Sequence, residues 1–113
     1  MTTMLLLVSC SSGMQPLASA SAQSVVPKGA QSYSVVIREL KFHPAVLTVA
    51  VGDTVEWKNE DIVPHTAIST ESKEFDSGSL AVGSSWKYVA TKSGTYFYNC
   101  TLHPNMRGKL VVQ

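Results

Sequence analysis

The chain has 113 residues, a length that suits one domain with a single hydrophobic core. Nine basic and eight acidic side chains leave a formal net charge of +1, which argues against nucleic acid or an anionic membrane as an electrostatic partner. Valine, threonine and aromatic residues are frequent after the N-terminal segment, and short stretches of alternating apolar and polar residues recur. The composition therefore favours an all-β fold.

The N-terminal segment, residues 1–22, resembles an export signal. Its apolar run at residues 4–8 is too short for a membrane-spanning helix, which needs about 20 apolar residues. Two interpretations of its processing remain open. In one, the small residues at 20–22 form a signal-peptidase site. In the other, residues 7–10 resemble a bacterial lipobox, and Cys10 would carry a lipid anchor.

Both interpretations place the mature protein in the periplasm or elsewhere in the cell envelope. Residues 23–32 are then a linker, and residues 33–113 form the folded domain. The remaining alternative is an N-terminal tail without a targeting role, because a segment of this composition cannot bury a core.

Alternating residues predict strands from residue 33 onward. Residues 33–40 form the first predicted strand, and Pro44 then interrupts the pattern in a way that suits an edge or a bend. Residues 47–51 and 54–58 are predicted as two strands joined by a tight turn at Gly52 and Asp53. Further strands are expected at residues 65–70, 84–91, 94–100 and 109–112. Seven to eight short strands with turns between them indicate an all-β sandwich or barrel.

Four aromatic residues of these predicted strands are expected to lie in the core: Trp57, Trp86, Tyr96 and Tyr98.

Three metal-binding residue types follow one another at intervals of three in "CTLHPNM", as Cys100, His103 and Met106. Cys100 ends a predicted strand, and the other two are expected on the loop that follows it, where Pro104 favours a turn. The three can converge only if this loop folds back. A complete site then needs a fourth ligand from elsewhere in the chain.

His65 is the candidate for this fourth ligand. It follows a proline at the start of a predicted strand, a position where a sandwich brings distant loops to one end. His43, beside Pro44, is predicted to be a surface or turn residue without a metal role.

Two imidazoles, a thiolate and a thioether suit copper better than other common metals. The sulfur ligands hold Cu(I) and the imidazoles also satisfy Cu(II), so both redox states are bound. A structural zinc site uses several cysteines or histidines at close spacing and has little use for methionine.

Together with "VGDTVEWKNED", "PHT", "FDSG", "GTYFYNC" and "HPNMRGKLVV", the ligand loop resembles the cupredoxins, the type 1 or blue copper proteins. The resemblance covers about residues 33–113, and the short Cys-x2-His-x2-Met spacing resembles the amicyanin- and plastocyanin-like branch. It implies a Greek-key β-sandwich that carries single electrons between redox partners and is not an enzyme. The copper ligands that it implies are His65, Cys100, His103 and Met106.

The resemblance also implies that redox partners dock near the exposed edge of His103. Pro64, Leu102 and Pro104 would form a small apolar patch there, and the protein is expected to be a monomer. A copper delivery or storage protein is the alternative function. An enzyme with a Cys100 and His103 nucleophile pair is disfavoured, since no orienting third residue is visible in the sequence.

The segments before and after His65 carry two further expectations. Many cupredoxins carry asparagine directly after the first histidine ligand, where its side chain ties the two ligand loops together. Thr66 stands at that position here and is expected to make a shorter tie. Glu60 and Asp61 are predicted to form a solvated turn that could help to orient a partner.

Overall fold

The computed structural model describes residues 29–113, so the predictions for the leader and for Cys10 lie outside the described residues. This part of the chain forms eight strands. None of it forms a helix long and apolar enough to cross a membrane. The strands are β1 (Ser32–Arg38), β2 (Lys41–His43), β3 (Val46–Val49), β4 (Thr54–Asn59), β5 (Ile68–Ser69), β6 (Ser85–Val89), β7 (Gly94–Cys100) and β8 (His103–Val112).

The strands form two four-stranded sheets, which confirms the predicted all-β sandwich. One sheet has the order β2-β1-β4-β6 and the other the order β3-β8-β7-β5. Both sheets are mixed, because β1 pairs with β4 and β3 pairs with β8 in parallel. The remaining pairings are antiparallel.

The first predicted strand ends earlier than expected. β1 stops at Arg38, and Glu39 and Leu40 make a tight turn with φ values of 53° and 57°. Residues other than glycine rarely adopt this left-handed conformation, so the alternating pattern alone does not reveal the turn. Pro44 lies between β2 and β3, which are edge strands of different sheets, as its missing N–H group predicts.

The turn at Gly52 and Asp53 is present, but the strands that it joins do not pair with each other. β3 belongs to one sheet and β4 to the other. The buried Asp53 carboxylate accepts the N–H groups of Ala50 at 2.8 Å and of Gln31 at 2.8 Å. These bonds fix the turn to the end of β3 and to the segment before β1. The turn therefore carries the chain from one sheet to the other instead of closing a hairpin.

Trp57 stands at the centre of the core and is fully buried. Its ring centroid lies 5.2 Å from that of Phe75, 5.4 Å from Tyr98 and 5.7 Å from Trp86. Tyr96 and Tyr98 are buried as predicted, whereas Trp86 is partly buried against the edge of the core. These rings pack the two sheets together.

Gly108 on β8 lies opposite Tyr98 on β7. A Cβ atom at Gly108 would stand 2.2 Å from Cζ of the Tyr98 ring, far inside van der Waals contact. The absence of a side chain at this position therefore lets Tyr98 lie across the neighbouring strand and reach the core.

We predict that Gly108→Ala lowers the free energy of unfolding by about 1–3 kcal/mol, the usual cost of overpacking a core. Urea denaturation of the metal-free protein measures this change. Gly29→Ala is the control, because nothing lies within 4 Å of a Cβ atom there. Equal stability of the two variants would contradict the prediction.

Candidate metal centre

Cys100 and His103 face each other at the tip of the β7–β8 hairpin. They are paired residues, separated by a two-residue turn, and a register irregularity lies beside the pair at Asn99. His103 and Met106 therefore lie on β8 and not on a loop, contrary to the sequence prediction. The reason is that Cys100 pairs with His103, so β8 begins at His103 and runs to Val112, although residues 104–106 have no partner on β7.

Met106 points to the interior because of strand alternation along β8. Met106, Gly108, Leu110 and Val112 are buried, whereas Pro104 and Asn105 before them are exposed. The Met106 side chain is close to His65, Cys100 and His103. The alternation of inward and outward side chains along β8 also builds the core, and it places the Met106 side chain in the site.

His65 lies between β4 and β5 in a segment fastened by Asn59. The buried Asn59 amide donates to the carbonyl oxygens of Val63 at 2.9 Å and of Leu80 at 3.0 Å. The backbone of His65 pairs with Leu80 through two hydrogen bonds of 3.1 and 2.7 Å. These contacts hold the imidazole in a fully buried position.

The structure brings His65, Cys100 and His103 together. Their ligand atoms lie within 4.8 Å of one another. Sγ of Cys100 lies 3.6 Å from Nδ1 of His65 and 3.8 Å from Nδ1 of His103. Both rings thus turn Nδ1 towards the thiol, while His43 hydrogen-bonds the carbonyl of Arg38 elsewhere.

This donor set fits copper. Two imidazole nitrogens, one thiolate and a nearby thioether are the ligands of trigonal electron-transfer copper sites with a weak axial methionine. Cys100 and His65 are fully buried and Met106 is nearly so, which keeps bulk water away from the sulfur atoms. His103 is the one partly exposed member of the set.

The environment of Cys100 favours the thiolate even without a metal. Burial raises the pKa of the Cys100 thiol, but the Thr66 N–H group and the rings of His65 and His103 outweigh it and lower the pKa to about 6. The Thr66 N–H group donates to Sγ at 3.3 Å. The site is therefore prepared for a cationic metal near neutral pH.

Thr66 also ties the two ligand segments together with its side chain. Its Oγ1 atom accepts the N–H of Thr101 at 2.9 Å and lies 3.1 Å from the Thr101 hydroxyl. The expected side-chain tie is therefore present, and it joins the residue after His65 to the residue after Cys100. Only the structure identifies Thr101 as its partner.

Asp61 is a functional candidate that the sequence analysis missed. Its Oδ2 atom lies 2.8 Å from Nε2 of His65, and only 11% of its side chain is exposed. The Leu40 N–H bond, followed by those from His65 and Ile62, lowers the pKa of Asp61 to about 2. The prediction of a solvated turn holds for Glu60, which pairs weakly with Arg38 and Lys58, but is wrong for Asp61.

A carboxylate four residues before a predicted histidine ligand is the signal that could have identified Asp61. Histidines that bind metals usually donate their other ring N–H group to a carboxylate or a carbonyl oxygen.

Comparison with known proteins finds relatives among the cupredoxins. The family model described as a cupredoxin-like domain matches residues 3–112. Amicyanin from Paracoccus denitrificans is 36% identical over 89 residues, which cover 70% of this chain and 63% of that protein. This chain therefore spans less than two thirds of the length of that relative.

Two further comparisons cover more of the matched protein. Amicyanin-alpha from Methylorubrum extorquens is 30% identical over 101 residues, 86% of this chain and 85% of that protein. The solved structure of a purple cupredoxin from Nitrosopumilus maritimus matches with a TM-score of 0.68 at 29% identity, covering 72% of this chain and 99% of that chain.

We predict that the Cys100 thiolate of the metal-free protein forms as the pH rises through about 6, compared with an ordinary value of 9.0. Because the folded pKa lies below the unfolded one, stability of the metal-free protein should rise between these pH values and be lost as the pH falls towards 6. Thiolate ultraviolet absorbance in a Cys10→Ser background measures the titration. A midpoint near 9 would contradict the prediction.

We predict that Thr66→Val destabilises the metal-free protein by about 0.5–1.5 kcal/mol, the usual net contribution of a hydrogen bond, since it removes the acceptor of the Thr101 N–H group. Thr66→Ser retains the hydroxyl and is the matched control, with a free energy of unfolding near that of the wild type. Thermal or urea unfolding compares them. An equal loss of unfolding free energy in Thr66→Val and Thr66→Ser would contradict the prediction, because side-chain packing and not the hydroxyl would then account for the loss.

Proposed function

Because the chain belongs to the cupredoxin-like domain family, we propose that it is a small blue copper protein that carries single electrons between redox partners. The cupredoxin resemblance inferred from the sequence is confirmed. The cofactor is one type 1 copper ion, which supplies a one-electron Cu(II)/Cu(I) couple when bound. The observation that carries the proposal is the convergence of a buried thiolate and two imidazoles within 4.8 Å, with Met106 close by.

The proposed ligands are Nδ1 of His65, Sγ of Cys100, Nδ1 of His103 and the sulfur of Met106. The chain holds three of these residues at the end of one hairpin and fastens the fourth through Asn59. Ligands that are held by strands and buried hydrogen bonds move little when the metal gains or loses one electron. A fixed ligand set of this kind keeps the structural change small at each electron transfer.

His103 is the proposed port for electrons, since it is the partly exposed ligand. Leu40 and Leu102, each about half exposed, line a shallow cavity beside it together with Pro104. Pro64 is exposed next to His65, and Ile62 is 87% exposed. We define these apolar residues as the docking patch: Leu40, Ile62, Pro64, Leu102 and Pro104. A small apolar patch of five residues suits weak and short-lived complexes with redox proteins, which bury little surface area.

Burial of the ligands supports electron transfer over copper delivery. A protein that hands its metal to a partner needs ligands that the partner can reach, whereas Cys100 and His65 are fully buried here. No substrate bond needs to be formed or broken, so the proposal is a carrier and not an enzyme. The export-type leader at residues 1–22 supports a location in the periplasm or cell envelope.

We predict that adding Cu(II) to the metal-free protein produces an intense visible absorption band, because the Cys100 thiolate donates charge to the metal. Cys100→Ser should abolish the band. Met106→Leu should retain the colour and change the reduction potential, since the axial ligand tunes the potential. Absorption spectroscopy and voltammetry measure these outcomes.

The matched control is His43→Ala, which removes a histidine whose ring hydrogen-bonds the Arg38 carbonyl and is not among the clustered ligands. This variant should keep both colour and potential. A wild-type protein that binds Cu(II) but stays colourless under oxidising conditions would contradict the blue copper assignment.

A further inference from the structure

We propose that Asp61 is a positioning residue for the metal centre: its carboxylate holds the proton of His65 on Nε2, leaves Nδ1 free as a ligand, and favours the more highly charged metal state. The inference rests on the proposed function for its redox part only. Its structural part concerns the metal-free protein and can be tested there.

Three N–H donors converge on the Asp61 carboxylate. Oδ2 lies 2.8 Å from Nε2 of His65 and accepts the backbone N–H of Leu40 at 3.0 Å. Oδ1 accepts the N–H of Ile62 at 2.9 Å. The backbone N–H of Asp61 in turn donates to Oδ1 of the buried Asn59 at 2.9 Å. The carboxylate is thus held from several sides, and its position defines where the His65 ring can hydrogen-bond.

This contact selects one tautomer of His65. An ionised carboxylate only accepts hydrogen bonds, so Nε2 must carry the proton in the bond to Asp61. In the neutral ring, Nδ1 is then unprotonated, and this atom lies 3.6 Å from Sγ of Cys100. The ring is oriented at both ends, with a proton facing the carboxylate and a lone pair facing the ligand cluster.

The charge of Asp61 is not neutralised by a lysine or arginine among residues 29–113. Its ion-pair contact is His65 itself, whereas the two nearby basic residues, Arg38 and Lys58, pair with Glu60. A negative charge hydrogen-bonded to a ligand imidazole stabilises Cu(II) more than Cu(I), because the interaction grows with the charge of the metal. Asp61 should therefore lower the reduction potential.

The link to Leu40 extends this arrangement to the docking patch. Leu40 is in the left-handed conformation at the β1–β2 turn, and Asp61 accepts its N–H group. The Leu40 side chain lines the cavity beside His103. The Asp61 carboxylate thus connects the buried ligand His65 with the β1–β2 turn, whose Leu40 side chain lies beside His103.

The test compares Asp61→Asn with two matched variants. Asparagine keeps the size but replaces the carboxylate with a neutral amide, whose single oxygen is a weaker acceptor and carries no charge. Glu60→Gln removes the same charge one residue away, at an exposed side chain without contact to His65. Asp61→Glu restores the carboxylate and serves as the rescue variant.

The first measurement is made without copper. Nitrogen-15 NMR of the His65 ring in the metal-free protein should find the proton on Nε2 in the wild type, Glu60→Gln and Asp61→Glu. In Asp61→Asn this preference should weaken, because a neutral amide oxygen holds the Nε2 proton less strongly than a carboxylate does. A wild-type ring protonated on Nδ1 would overturn the inference, even if Asp61→Asn does not fold.

The second measurement is the reduction potential of the copper-loaded variants at about 0.1 M salt, where exposed charges are screened beyond about 10 Å. Asp61→Asn should lower the ratio of Cu(II) to Cu(I) affinity about tenfold, a rise of about 59 mV for one electron. Glu60→Gln should change the reduction potential much less, and the potential of Asp61→Glu should stay near that of the wild type. Equal shifts in Asp61→Asn and Glu60→Gln would overturn the redox part.

Failure of the proposed function is distinguishable from failure of this inference. A protein without blue copper chemistry gives no visible band in any variant, while the NMR result for the metal-free ring still decides the role of Asp61.

Discussion

The bond from the Thr66 N–H group to Sγ of Cys100 is the contact on which the metal centre depends. A buried thiolate is costly unless hydrogen-bond donors surround it, and this donor comes from the residue next to His65. The same residue accepts the Thr101 N–H group through its hydroxyl. Two segments 35 residues apart in the chain are thereby joined beside the sulfur by two hydrogen bonds. The ligands are close together because the polar groups around them are satisfied.

A chain of buried polar contacts supports the His65 side of the site. Asn59, at the end of β4, fastens the Val63 and Leu80 carbonyls and also accepts the Asp61 N–H group. Asp61 then contacts the outer nitrogen of His65. Each group in the series is paired, so burial rigidifies the site instead of destabilising the fold. The strand that carries Trp57 thus also helps to orient a metal ligand, through Asn59 at its end.

The two ends of the ligand set differ in their exposure, and this difference matches the proposed role. Cys100, His65 and Met106 are shielded, which maintains the thiolate and a stable environment for two redox states. His103 remains partly exposed between half-exposed leucines, where a partner can approach without entering the site. Electron transfer requires approach to one ligand edge, whereas metal transfer would require access to the sulfur.

The alternation of residues predicted an all-β sandwich or barrel with Trp57, Tyr96 and Tyr98 in its core, and the cupredoxin resemblance narrowed this prediction to a sandwich. The Cys, His and Met spacing predicted the cluster at one end. These features are local in sequence, because a period of two decides which side chains face inward. Three features were decided only by the tertiary structure: the separation of β3 and β4 into different sheets, the position of Met106 on a strand, and the contact between Asp61 and His65. The sheet assignment follows from pairing of β3 with β8 and of β4 with β1, and the strand position of Met106 accompanies a register irregularity at Asn99 and Cys100. The Asp61 carboxylate is fixed against His65 by the N–H group of Leu40, 21 residues away. A local pattern of polar and apolar residues specifies none of these contacts.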